Sequence, residues 1–252
     1  MCIAALALNA HPRWALVVAA NRDEYHAREA APLAAWDDGS GITAGRDLVG
    51  GGTWLGLHEA GRLVLVTNFR VEGYPKPDRP SRGGLVTGLL KGDDPQAIDL
   101  TRYNPFNLAV ADLNGHATLL GNYPDANRTP LPPGVHGLSN GTFIPAWPKT
   151  KRLCTHLKGW IEAGDDDPAP LFSALRDESP QDSPGDGPGP FTSNAPEPRL
   201  SGVFIRDAVY GTRCSTVVTV DHSGRGNITE RRFDARGAVS GETALDFHWP
   251  SP

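Results

Sequence analysis

Cysteine is scarce in this chain, with three residues at positions 2, 154 and 214 among 252. No two of them form a C-x-x-C pair, which argues against a zinc ribbon or redox dithiol, and three scattered thiols cannot build a disulfide framework. The expected setting is reducing and cytoplasmic. Long apolar runs are also missing: no stretch reaches the eighteen or so residues of a membrane helix, so no integral membrane contact is expected. The first twenty residues end in Val17-Val18-Ala19-Ala20 but lack an early positive charge, and Asn9, His11, Pro12 and Arg13 break their apolar run. They read as a folded hairpin, not a signal peptide. Basic clusters are absent as well. With 24 Lys and Arg against 29 Asp and Glu, the formal charge is −5, and nothing gathers the cations that a nucleic-acid backbone demands. The eight histidines show no H-E-x-x-H or other ligand spacing, so no metal is expected. Gly50-Gly51-Gly52 is followed by no Lys-Ser/Thr pair and no immediate helix, which leaves a tight turn and excludes a phosphate loop.

What is present is enough apolar material, 39% of residues, to build one sizeable core, and a single domain over 1–252 is expected. Residues 2–8 and 15–20 are apolar at odd and even positions alike, which predicts strands covered on both faces within a layered α/β structure. Further hairpins are predicted from 53–57 to 63–67 around Gly61, and from 107–110 to 117–120 at Asn114-Gly115. Helical spacing follows Ser81, at Leu85, Val86, Leu89 and Leu90, and follows Pro148, at Leu153, Leu157, Trp160 and Ile161. Nine of the twenty-two residues in 177–198 are Pro or Gly, which predicts a flexible loop away from the chemistry. Returning strands are expected at 203–205, 215–220 and 228–233.

Cys2 is the sharpest chemical candidate. A small residue at position 2 permits removal of Met1, and the new terminal cysteine then carries an α-amine, titrating near pH 8, beside its own thiol. That amine can serve as base to the sulfur, joining nucleophile and base in one residue. The alternative is a cysteine that merely begins a buried strand. Asn21-Arg22-Asp23-Glu24 directly follows the second apolar run. If the two runs pair, these four polar residues leave the sheet beside the thiol, where a carboxylate could hold the amine and a guanidinium could lower the thiol pKa. The alternative is a charged turn in solvent. Cys154 and Cys214 read as packing.

Met1-Cys2-Ile3, Asn21-Arg22-Asp23-Glu24, Ala44-Gly45-Arg46-Asp47, Gly51-Gly52-Thr53-Trp54-Leu55-Gly56, Thr67-Asn68-Phe69-Arg70 and Ser81-Arg82-Gly83 occur in this order. So do Tyr103-Asn104-Pro105-Phe106-Asn107-Leu108, Leu138-Ser139-Asn140 with Trp147-Pro148-Lys149, and Tyr210-Gly211-Thr212-Arg213. Together they resemble the NRDE family, which includes the transport and Golgi organization protein 2 group. The resemblance spans nearly the whole chain. It implies an N-terminal-nucleophile hydrolase fold, an α+β four-layer αββα sandwich. Within that fold, the cysteine enzymes that cleave penicillin V and bile-salt amides imply roles for Cys2 as nucleophile, Asp23 at the amine, Asn68 and Asn140 at the oxyanion, and Arg213 as supporting charge. Asn21, Arg22, Thr53, Trp54 and Arg70 are then expected around the substrate. One departure stands out: those enzymes place an arginine three residues before the aspartate, where this chain has Ala20. Arg22 instead adjoins Asp23, and because neighbours on a strand alternate in direction, Arg22 is expected to point away from the thiol.

Two functions follow from the resemblance. One is a cysteine amidohydrolase or acyl-transfer catalyst that needs no cofactor. The other is a non-catalytic protein of the same fold that carries haem or an acyl-lipid or acyl-CoA cargo. For haem the axial ligand should be a histidine or cysteine, and the sequence nominates none.

Overall fold

In the computed structural model, residues 2–71, 73–144, 146–179 and 202–250 are described. Strands β1 (Cys2–Leu8) and β2 (Trp14–Tyr25) form the first hairpin, followed by β3 (Ala30–Ala35), β4 (Ile42–Asp47), β5 (Leu55–His58) and β6 (Arg62–Asn68). Helix α1 (Arg82–Lys91) leads to β7 (Phe106–Asp112), β8 (Ala117–Gly121), β9 (Asn127–Leu131) and β10 (Gly134–Leu138). Helices α2 (Pro148–Ala163) and α3 (Ala169–Leu175) precede the closing strands β11 (Tyr210–Asp221), β12 (Arg225–Phe233) and β13 (Val239–His248).

The strands make two antiparallel sheets, ordered β10-β1-β2-β11-β12-β13 and β3-β4-β5-β6-β7-β8-β9. Alternation along β1 and β2 explains why their sequences are apolar throughout. Ala4, Leu6, Leu8, Leu16 and Val18 face Leu55, Leu57, Leu63 and Leu65 of the other sheet. Ile3, Ala5, Ala7, Val17 and Ala19 face Leu153, Leu157, Leu171 and Leu175 of α2 and α3. On the far side of the second sheet, Ile42, Val64, Val66 and Leu108 receive Leu85, Val86, Leu89 and Leu90 of α1. Helix, sheet, sheet and helix therefore stack as an αββα sandwich, as expected. Each fully buried Leu or Val of these interfaces contributes about 1.5–3 kcal/mol of gross burial energy.

Helix α1 starts where Ser81 Oγ accepts the Gly83 N–H at 3.2 Å and stops at Gly92, whose φ of 110° suits glycine. Helix α2 starts with Pro148 at its first position and stops at Gly164. Both helices lie where the apolar spacing places them, and the hairpins reverse at Gly61 and Gly115, both with positive φ.

One expectation changes. Residues 203–205 are buried but form no strand; they are a tether, with the Phe204 N–H on the Asp177 carbonyl and the Ile205 N–H on Thr212 Oγ1. The expected loop 177–198 lies outside the described residues from 180 onward. Its first residue, Asp177, is held by Arg152 Nε at 3.1 Å. Among the described residues no helix is long and apolar enough to cross a membrane.

Candidate functional site

The first hairpin closes in a register that pairs Cys2 with Arg22, Ile3 with Asn21 and Ala4 with Ala20. Directly opposed residues of an antiparallel ladder share a face. Arg22 therefore lies on the same face as Cys2, which corrects the expectation that it points away. Alternation along β2 does send Arg22 and Asp23 to opposite sides, but the cross-strand pairing puts Arg22 on the thiol's side. Nor do residues 21–24 leave the sheet: they extend β2, with Asn21 and Arg22 between β1 and β11 and with Asp23 and Glu24 paired to β11.

Cys2 keeps partial exposure at the floor of a cleft of about 1040 Å³. Burial pushes its thiol above the usual range; the Asp23 carboxylate adds to that push, while Arg22 and the Asp23 backbone N–H oppose it. Arg22 has a side chain only 4% exposed, and its guanidinium lies 4.4 Å from the centre of the Trp54 ring. Its Nη2 is 3.5 Å from Asp47 Oδ2, and its Nη1 has no hydrogen-bond partner among the described residues. A buried guanidinium so weakly compensated is costly to maintain. Trp54 can lie there because Gly45 leaves room: a Cβ at Gly45 would sit 2.4 Å from the ring.

Asp23 is buried on the other side of β2. Its Oδ1 accepts from Thr212 Oγ1 at 2.7 Å and its carbonyl accepts from the Tyr210 hydroxyl at 2.9 Å. Thr53 is buried and donates from Oγ1 to the Leu55 carbonyl. Cys2, Arg22, Asp23, Thr53, Trp54, Asn68 and Arg70 all line the cleft.

Three expected residues do not. Asn21 faces the helices, where its Nδ2 donates to the carbonyls of Leu175 and Val203 and its Oδ1 accepts from Ser215 Oγ. Asn140 is fully buried behind the cleft wall. Its Nδ2 donates to the Asn68 carbonyl at 2.9 Å and its own carbonyl accepts from the Arg70 N–H, so it holds the segment that presents Asn68. Arg213 lies at a bulge in β11, and its Nη1 donates to the carbonyls of Tyr25, His26 and Arg28. It clamps the turn after β2.

The cleft also holds charged residues that sequence reasoning left without a role. Arg28 Nε bonds Asp47 Oδ2 at 2.8 Å and approaches Glu24 at 3.9 Å. Arg82, at the first position of α1, donates to the Pro105 carbonyl. Burial pulls its pKa down to about 10, against the favourable fields of Cys2 and Glu24. Asn104 pins the loop above by exchanging two hydrogen bonds with the Lys76 backbone. The motifs at 81–83 and 103–108 contained this signal, since Arg82 and Asn104 stand in them. Among the described residues, no three of His, Cys, Asp or Glu gather as a metal site.

A family profile described as Transport and Golgi organisation 2 matches residues 1–235. The chain belongs to the Transport and Golgi organisation 2 family. The mouse Transport and Golgi organization 2 homolog is 30% identical over 92% of both chains, and the human homolog likewise. The Drosophila melanogaster protein is 25% identical over 91% of both. Among solved structures, a Caenorhabditis elegans N-acylethanolamine-hydrolyzing acid amidase ortholog matches with TM-score 0.52 and 12% identity, covering 86% of this chain and 92% of its own. The C2A mutant of conjugated bile acid hydrolase from Clostridium perfringens matches with TM-score 0.56 and 9% identity, covering 98% and 92%. These likenesses place this member of the Transport and Golgi organisation 2 family on the N-terminal-nucleophile hydrolase fold.

Proposed function

We propose that this chain is a cysteine amidohydrolase, or a related acyl-transfer catalyst, that acts on a small-molecule or lipid-like amide or thioester with Cys2 as nucleophile after removal of Met1. The observation that carries this reading is the place of Cys2, at the floor of a cleft of about 1040 Å³ and directly across a strand pair from buried Arg22. Because burial keeps the resting thiol neutral, it needs a base, and the freed α-amine of Cys2 is the base within reach. The amine takes the thiol proton as sulfur attacks the carbonyl carbon, and the carbonyl electrons move to oxygen. The Asn68 side chain, half-buried on the cleft wall, is the proposed donor to that oxyanion, and Asn140 positions it through the Asn68 carbonyl. Collapse breaks the bond to the amine or thiol leaving group, which departs with the proton held by the α-ammonium. Water, deprotonated by the same amine, then hydrolyses the acyl-cysteine. No cofactor is required.

The same raised thiol favours a second reading, since a resting thiolate is disfavoured. On that reading the cleft carries an acyl-lipid, an acyl-CoA or haem. Haem would find in Cys2 the one sulfur ligand, and no histidine, among the residues lining the cleft. Replacing Cys2 by Ala separates the two. A hydrolase loses turnover of fluorogenic amides and thioesters while still binding them, whereas a carrier shows no turnover before or after the change.

A further inference from the structure

The cleft that holds Cys2 is lined by six Arg and Lys residues against three carboxylates, Asp23, Glu24 and Asp47. Glu24 and Asp47 are both engaged by Arg28, and Asp47 Oδ1 further accepts the N–H groups of Val49 and Gly50. Lys76, Arg79 and Arg82 have no carboxylate partner among the described residues: Arg79 donates to the carbonyls of Thr101 and Tyr103, and Arg82 to that of Pro105. Neutral carbonyls satisfy hydrogen bonds but leave the positive charge standing.

Two independent features point the same way. Helix α1 opens onto the cleft at Ser81, Arg82 and Gly83, with no acidic residue in its first turn, so its positive end faces the ligand space. Gly52 allows the close approach that seats this end against the 52–53 segment leading into β5, since a Cβ there would lie 2.2 Å from the Gly83 carbonyl carbon and the Thr53 N–H donates to the Gly83 carbonyl. At the floor, Arg22 Nη1 is a buried donor without a hydrogen-bond partner among the described residues, an arrangement that a bound acceptor would satisfy. Phe69, Val71, Tyr74, Pro75 and Pro77 supply apolar surface on the same wall.

The geometry points to an anion subsite formed by Arg82, Arg79, Lys76 and Arg22 with the first turn of α1, which takes the carboxylate or phosphate group of a ligand whose apolar part lies along Phe69, Val71, Tyr74, Pro75 and Pro77. This deepens the proposed function and rests on it only in identifying the ligand as the substrate. A carboxylate or phosphate can accept from several donors at once, and arginine matches both geometrically.

The test is calorimetric titration of the full chain with octanoate, octyl phosphate and neutral octanol. The expected result is that at least one anion binds about tenfold or more tightly than octanol, and that salt weakens the preference. The two anions distinguish carboxylate from phosphate, and preference for either supports the subsite. Arg82→Gln should cut anion affinity about tenfold with octanol unchanged, and Arg82→Lys should restore part of it. If Arg82→Gln does not fold, Arg79→Gln carries the same expectation. Octanol binding as tightly as both anions, or a folded Arg82→Gln protein with its preference intact, overturns the inference. Because binding is read without turnover, failure of the hydrolase reading leaves this result standing. A protein that turns over amides through Cys2 without any anion preference defeats the subsite alone.

Discussion

Cys2 and Arg22 face each other across the β1–β2 ladder, and the guanidinium rests on Trp54. The pair places the thiol beside a charged group that favours the thiolate. Burial raises the thiol pKa and Arg22 is among the groups that oppose that rise, so Arg22 helps to tune the pH at which the sulfur becomes nucleophilic.

Removing the cation should make the sulfur harder to ionise. In Arg22→Gln the pH midpoint of iodoacetamide labelling at Cys2 should move upward by about a unit, equivalent to about 1.4 kcal/mol. Peptide mapping reads this directly, with Cys154 as internal reference because burial pushes its thiol up to about 11. A midpoint that stays in place would show that Arg22 does not act on the thiol.

Gly45 tests the support beneath that pair. A Cβ at this position would lie 2.4 Å from the Trp54 ring, and the ring also carries Arg22. Gly45→Ala should therefore cost about 1–3 kcal/mol by overpacking and should slow labelling of Cys2. Chemical denaturation together with the labelling rate checks both, and a neutral outcome would mean that the ring moves without strain.

Asp47 gives a pH-dependent expectation. Burial alone would raise its pKa, but the Arg28 side chain, the Gly50 N–H and the Arg22 charge together hold the carboxyl below its ordinary 3.8. A depressed folded-state pKa contributes stability that is present above 3.8 and lost as pH falls through the lower folded value. Asp47→Asn should thus lower stability at pH 7 and flatten the acid limb below about pH 4. Thermal melts from pH 2 to pH 7 measure the slope; an unchanged acid limb would argue that the ion pair contributes nothing.

The sandwich was legible because burial on both faces leaves strands apolar throughout, as β1 and β2 are, and because Ser81 and Pro148 mark helix starts. Strands β3, β9 and β13 were not, since their mixed, partly exposed sequences carry neither a clean period nor a continuous run. The site was half legible. Cys2, Arg22, Trp54 and Asn68 all line the cleft, but side-chain direction depends on ladder register, and reading β2 alone turned Arg22 the wrong way. Arg213 illustrates the complementary limit: the bulge between Thr212 and Cys214 redirects it onto the carbonyls of Tyr25, His26 and Arg28. Bulges leave no mark in composition. Arg28 and Arg82 escaped because an arginine in a loop or at a helix start reads as solvated until the fold closes over it.

In the proposed reaction Cys2, freed of Met1, carries the acyl group. Intact-mass spectrometry of the protein quenched during turnover of a fluorogenic thioester, with mapping of the first peptide, tests it most directly. The expected species is a chain lighter by one methionine and heavier by one acyl group, with that group on Cys2. A chain that keeps Met1, or an acyl group found on any other residue, would contradict it.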